Sequence, residues 1–231
     1  ERMAMSILAR GTIYVASDGA KGTQVAYQYN YDFDGEWKTN NVTTLTGTDT
    51  WEVANAKTAT PIQDILDLVD NALESKGVSL TRAILTTATL NKIIAMDEVK
   101  EAMQPLYADR TLPFNKAQKV EFLERMTGIK FYPYDKRFRS AEDGVDTKFY
   151  PDDQVTFLPD GAIGNMMVGN TPDSFDDMVG LANVKTAKLS SGVTLASYGE
   201  GVPYKMTTTV SMVALPSVND LDEIFIIKKG A

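Results

Sequence analysis

Apolar residues recur along this chain with two periods, and the changes between them outline its parts. At the start, Met3/Ile7 and Ala4/Leu8 lie four apart, the spacing of one helical face, and Gly11 stands where a left-handed residue closes a helix. The spacing predicts a helix over 1–10. No capping residue precedes it, so earlier turns are expected upstream. Residues 12–16 and 23–31 are rich in β-branched and aromatic types, with Asp18, Gly19 and Gly22 between them. The second run alternates, placing Val25, Tyr27, Tyr29 and Tyr31 on one face. This pattern predicts a hairpin. Residues 32–59 are polar, rich in Thr and Asn, and contain both Trp; they read as an ordered, irregular connection.

From Thr60 the helical period takes over. Thr60 suits an N-cap, Pro61 the first helical position, and Gln63 the return bond of a capping box. Ile62, Ile65, Leu66, Val69 and Leu73 form the expected buried stripe, and Gly77 the stop. Residues 80–85 read as a buried strand. Thr86–Thr89 read as caps for a helix holding Leu90, Ile93 and Ile94, and 97–103 as another short helix. A further helix is predicted over 115–127, with Ala117, Val120, Leu123 and Met126 on one side and Gly128 as stop. Strands are predicted at 129–132, 154–158, 162–168, 193–198, 204–214 and 223–227. A helix-rich middle between strand-rich ends predicts an α+β fold, with a middle lobe inserted into a platform made from both ends.

Composition removes whole classes of chemistry. The 231 residues include no Cys and no His. Disulfides, thiolate nucleophiles, His triads and His-ligated metals are therefore excluded. The net charge of −8 opposes tight nucleic-acid binding, which needs a basic footprint. No apolar run is long enough to span a membrane.

The candidate constellations are weak. Asn30-Tyr-Asp32-Phe-Asp34-Gly35 imitates the start of a calcium loop, but its twelfth position is Asn41 where a bidentate Glu is needed. Asp152/Asp153 and Asp176/Asp177 are adjacent carboxylates, and neighbours on a strand point to opposite faces. Gly199-Glu200-Gly201 is too short for a phosphate loop. Tyr134-Asp-Lys136-Arg137-Phe-Arg139, followed by Glu142, Asp143 and Asp146, fits a solvated loop, then a protein–protein contact, and last a nucleic-acid site. No cofactor, metal or catalytic centre is expected, and the chain is read as a non-enzyme.

The ordered series of elements resembles the major capsid proteins of tailed bacteriophages, in particular the lambda major head protein family. The stretches that carry it are Ser6-Ile-Leu-Ala-Arg-Gly11-Thr-Ile-Tyr-Val, Trp51 with Thr60-Pro-Ile-Gln-Asp-Ile65, and Ala83-Ile-Leu-Thr-Thr with Leu90-Asn-Lys-Ile-Ile94. Further on are Gly128-Ile-Lys-Phe-Tyr-Pro-Tyr-Asp135, Phe149-Tyr-Pro-Asp-Asp-Gln-Val-Thr-Phe-Leu-Pro159, Gly169-Asn-Thr-Pro172 and the run 206–227 broken by Pro216.

The resemblance implies the capsid fold first described for phage Hong Kong ninety-seven. Residues 1–59 would hold the end of the spine helix, peripheral-domain strands and a linker. Residues 60–185 would form the axial domain, and 186–231 the closing peripheral strands. The N-terminal arm, extended loop and most of the spine helix have no counterpart, so a truncated subunit is expected.

The implied function is a structural head protein that self-assembles, when full length, into pentamers and hexamers of an icosahedral shell. It would be made in the bacterial cytoplasm and reside in the virion. Scaffold, portal or decoration proteins are the other implied partners; sequence-specific nucleic acid and membrane are not. An encapsulin-like nanocompartment, a tail or baseplate protein and a carboxylate enzyme are the alternatives. Ring-facing loops are expected at 104–114 and 134–148. Lys136, Arg137 and Arg139 would pair there with Glu142, Asp143 and Asp146 of a neighbour.

Overall fold

The computed structural model describes residues 1–16, 25–104, 114–139, 145–172, 184–190, 192–200 and 204–229. In chain order come α1 (Arg2–Arg10), β1 (Thr12–Ala16), β2 (Val25–Asn30), α2 (Glu36–Asn40) and β3 (Val42–Thr44). After two 3-10 turns follow α3 (Pro61–Lys76), β4 (Leu80–Leu85), α4 (Thr87–Ile93), α5 (Asp97–Met103), α6 (Lys116–Thr127) and β5 (Lys130–Pro133). The remainder is β6 (Arg137–Arg139), β7 (Asp146–Lys148), β8 (Gln154–Pro159), β9 (Gly164–Gly169), β10 (Val184–Lys188), β11 (Thr194–Glu200), β12 (Lys205–Ser211), β13 (Val213–Val218) and β14 (Phe225–Lys228). Contacts divide the chain into two units, Glu1–Ile163 with Asp220–Ala231, and Gly164–Asn219.

A five-stranded mixed sheet, in the order β3-β14-β8-β4-β5, organises the first unit. β14 runs parallel to β3 and antiparallel to β8, while β4 is antiparallel to β8 and parallel to β5. Strands from both ends of the chain and from its middle thus share one sheet. Successive side chains on a strand point to opposite faces. Val155, Phe157, Phe225, Ile227, Ala83 and Leu85 pack with Trp51, Ile65, Leu68, Ile93 and Leu123 in the main core. Gln154 and Thr156 lie on the opposite face and are also buried. β8 is thus buried on both faces, although Gln154 and Thr156 on the second face are polar.

Local signals set many boundaries where they were expected. The hairpin β1–β2 is antiparallel, with Thr12 opposite Asn30. Gly11 closes α1 at φ 65°. A Cβ there would also lie 2.9 Å from the Trp37 ring, so glycine is required twice over. Thr86 caps α4 by accepting from the Thr89 N–H. Residues 32–59, expected to be irregular, contain α2 and β3, and the run 204–214 is split at Met212 between β12 and β13. No helix among the described residues is long and apolar enough to cross a membrane.

The cap of α3 differs from expectation. The Thr60 side chain makes no cap bond, and Gln63 donates instead to Asp67. The exposed donors of the first turn are met by Glu98 at the start of α5, which accepts from the Ile62 N–H at 2.7 Å and the Gln63 N–H at 3.4 Å. A carboxylate brings negative charge to the positive end of the helix, which a threonine hydroxyl cannot do. Burial raises the pKa of Glu98, opposed by those two N–H groups. Burial likewise raises that of Asp64, which accepts from the Trp51 indole N–H at 2.8 Å. The buried stripe of α3 is Ile62, Ile65, Leu68 and Ala72, whereas Leu73 is 57% exposed. On α6 the buried residues are Phe122, Leu123 and Thr127, and Met126 and Ala117 face solvent.

The second unit contains the sheet β10-β11-β12 and the antiparallel pair β9–β13. β9 and β13 approach so closely that a Cβ on Gly164 would lie 1.9 Å from the Ser217 carbonyl oxygen. β12 is exposed from Lys205 to Val210.

Two predictions follow from the packing of the first unit. Glu98→Ala should lower stability by about 1–2 kcal/mol, with Glu98→Gln losing less, read from urea midpoints. The second concerns Glu52, which accepts from Lys92 at 2.6 Å and Lys229 at 2.5 Å. The Lys229 hydrogen bond, then the Lys92 one, holds its pKa below the ordinary value of 4.5 against the opposing effect of burial. A lowered folded pKa stabilises above the unfolded value and loses that stability as pH falls through the folded value. The stability difference between wild type and Glu52→Gln should therefore be flat from neutral pH to just above 4.5 and shrink below it. Its size should stay under about 1 kcal/mol, because a pair with a third of the carboxylate side chain exposed is screened by solvent.

Candidate functional site

The last carbonyls of a helix have no partner within it, and burying them requires donors from elsewhere. At the end of α1, Thr156 Oγ1 donates to the Leu8 carbonyl at 3.0 Å, and Gln154 Nε2 donates to the Ala9 carbonyl at 2.9 Å. Thr156 has one hydroxyl hydrogen, so the Tyr150 hydroxyl, 2.6 Å from Thr156 Oγ1, donates to it. Burial pushes the Tyr150 phenol pKa well up, leaving it a neutral donor. Ile7, Leu8 and Ala9 are buried against this face of the sheet.

Opposite α1 stands the hairpin β6–β7, in which Arg137 faces Lys148, Phe138 faces Thr147 and Arg139 faces Asp146. Phe138 stacks on Phe149 with centroids 5.1 Å apart, and the Arg2 guanidinium lies 4.3 Å from the Phe138 ring centre. That cation–π contact links the start of α1 to the hairpin. Between helix and hairpin opens a cleft of about 940 Å³, whose lining includes Arg2, Arg10, Arg137, Phe138, Asp146 and Lys148. Lys148 is engaged by Asp152 at 2.6 Å and by Asp135 at 3.8 Å. Burial raises the Asp152 pKa, but the hydrogen bonds from Lys148 and Thr86 outweigh it, and the carboxyl sits below its ordinary value.

Two of the six expected contact residues, Arg137 and Asp146, belong to this cleft. Lys136 pairs with Glu1 at 2.5 Å, both side chains exposed. Arg139 and Asp146 are opposite one another within a single hairpin of one chain. Glu142 and Asp143 lie outside the described residues, as do most of the expected ring-facing segment 104–114 and Asp176/Asp177. The apolar period of the opening helix does not point to Arg2 and Arg10, which also line the cleft. Their flanking positions on that helix were the available signal.

The other constellations have structural roles. The Asp32 carboxylate, in the calcium-like stretch, is buried and accepts from the Trp37 and Lys38 N–H groups, capping α2. Asp34 accepts from the Glu36 N–H. No group of three or more carboxylates that could hold a metal occurs among the described residues.

Thr156→Val keeps the shape of the side chain but strands the Leu8 carbonyl and the Tyr150 hydroxyl in the interior. Unfolding free energy should fall by about 2–3 kcal/mol. Amide exchange in 7–11 and 150–156 should rise, whereas exchange in α6 should not.

No curated protein sequence matches this chain. A crystal structure of a prophage protein from E. coli CFT073, assigned as a capsid protein, has a similar fold with a TM-score of 0.63 at 14% identity. The match covers 98% of this chain and 61% of that one, so this chain spans under two thirds of that protein. A phage-related protein from Bordetella bronchiseptica RB50 aligns with a TM-score of 0.48 at 12% identity, covering 84% of this chain and 57% of that one. The family described as phage major capsid protein E matches residues 1–197. With a mixed α+β fold like that of the prophage protein, and a sequence match over most of its length, the chain belongs to the phage major capsid protein E family.

Proposed function

We propose that this chain is the shell-forming part of a major head protein of a tailed phage or prophage, working by self-assembly rather than catalysis. The observation that carries the reading is the family match over residues 1–197. The finer reading is a fold of the Hong Kong ninety-seven kind. Residues 1–59 supply the end of the spine helix and peripheral strands, 60–185 the axial domain, and 186–231 the closing peripheral strands. Its product is a virion component made in the host cytoplasm, with scaffold, portal or decoration proteins as secondary partners.

A shell needs many weak contacts of one kind. Heterologous head-to-tail interfaces close into rings when the rotation per subunit divides the circle. The hairpin β6–β7 is a suitable contact element, because Lys136, Arg137, Arg139 and Asp146 are all exposed on it. Glu142 and Asp143 lie between its strands in sequence and add two negative charges to that stretch. Exposed charge pairs are worth only ~0–1 kcal/mol each, so they set register and encounter rate more than affinity.

The test is the full gene product, expressed and examined by negative stain. Rings or shells are expected, and a strictly monomeric product at high concentration would overturn the reading. In the same background, Arg137→Glu with Arg139→Glu should slow capsomer formation about tenfold or more at low salt, with a smaller effect at high salt. Light scattering against time reads the difference.

A further inference from the structure

We propose that the cleft between α1 and the β6–β7 hairpin is the socket for a second copy of this chain, which enters it with the acidic outer ridge of its α3. The inference rests on the shell reading above and names the two surfaces that would meet.

The socket is cationic in a chain of net charge −8. Arg2, Arg10 and Arg137 are exposed along it, and among the described residues neither Arg10 nor Arg137 pairs with a carboxylate. The complementary charge is concentrated on α3. Asp67, Asp70 and Glu74 are exposed there at spacings of three and four, which places them on one ridge. Leu73, three residues after Asp70 and 57% exposed, adds an apolar point to that ridge.

The ridge works against its own helix. Asp70 and Glu74 are like charges four apart, and Glu74 lies in the last turn, where the helix end is already negative. Among the described residues no cation pairs with either. A cationic partner from outside the chain removes both penalties.

The dimensions agree. Asp67 to Glu74 is seven residues of helix, about 10.5 Å, and Arg2 to Arg10 is eight, about 12 Å. The Phe138 and Phe149 rings and the half-exposed Tyr14 also line the cleft and would give Leu73 an apolar seat.

Topology then requires the contact to be between copies. The buried stripe of α3 packs in the core with Val155 and Phe157. The end of α1 is bound to Gln154 and Thr156 on the other face of the same strand. Ridge and socket therefore belong to opposite sides of one sheet, and a chain cannot fill its own socket. Each copy offers one ridge and one socket, a heterologous contact that propagates until it closes.

The test uses neutral variants of the whole chain. One carries Arg10→Gln and Arg137→Gln, so its socket is dead and its ridge intact. The other carries Asp70→Asn and Glu74→Gln, so its ridge is dead and its socket intact. All four positions are exposed, and circular dichroism checks that both variants fold.

In sedimentation velocity at low salt, wild type should form species beyond the dimer. Each variant alone should associate about tenfold more weakly, equivalent to about 1.4 kcal/mol. An equimolar mixture should give a 1:1 dimer that does not grow, because it has one live contact and no other. Association of either variant alone at wild-type strength overturns the proposal, as does a mixture without dimer or a wild type that stays monomeric. Loss of DNA-fragment retention in the socket variant, with self-association unchanged, reassigns the socket to phosphate. Intact shells from a full gene product carrying Asp70→Asn and Glu74→Gln would overturn this docking surface while leaving the shell reading in place. A wild-type product without shells would instead overturn the shell reading.

Discussion

Two buried polar side chains on one strand hold the candidate site open. Gln154 and Thr156 lie on β8, where an apolar pair would ordinarily be expected, and each donates to a carbonyl at the end of α1. Unpaired, those four polar groups would be costly to bury; paired, they fix one position of α1 along the strand. A greasy interface would let the helix slide by fractions of a turn. Because β7 leads within a few residues into β8, the hairpin wall is anchored to the same strand as the helix wall. The cleft between them is thus a consequence of one strand's polar register.

That register depends in turn on β14. The strand comes from the far end of the described chain and sits between β3 and β8, with Phe225, Ile226 and Ile227 all buried. Its two neighbours run in opposite senses, so β14 pairs parallel on one side and antiparallel on the other. Asn41 and Trp37 each donate to the Ile224 carbonyl, tying the 32–59 connection to the same strand. These are non-local contacts, which form late because loop closure must precede them. The sheet cannot be completed until residues from β3 through β14 are all available.

What was legible in the sequence was local. Gly11, the Thr86 cap and the 97–103 helix are legible because each depends on residues within one or two turns. The Thr60 capping box failed because its competitor, Glu98, is 36 residues away from the N–H it meets. The stripe on α3 was misjudged at Leu73 because period alone does not say how wide the partner surface is. β3, β6 and β7 are three residues each, too short for alternation to register. The charged run 136–146 is plain in the sequence, but the hairpin pairing of Arg139 with Asp146 is not. The family was legible from the order of elements, since order survives when individual motifs drift.

Weakness of the charged contacts is a condition of the proposed role rather than a defect. If subunits met through a large apolar patch, a misplaced subunit would leave too slowly to be corrected. Exposed ion pairs contribute little each, are screened by salt, and act over a Debye length of about 10 Å at moderate ionic strength. They steer an incoming subunit before contact and release it when the geometry is wrong. In the proposed contact, the arginines of the cleft lie on one side of the sheet and the acidic ridge of α3 on the other, which would give each subunit a direction. Copies in the reversed orientation would bring like charges together, so that the same few side chains proposed to attract a correct neighbour would repel an incorrect one.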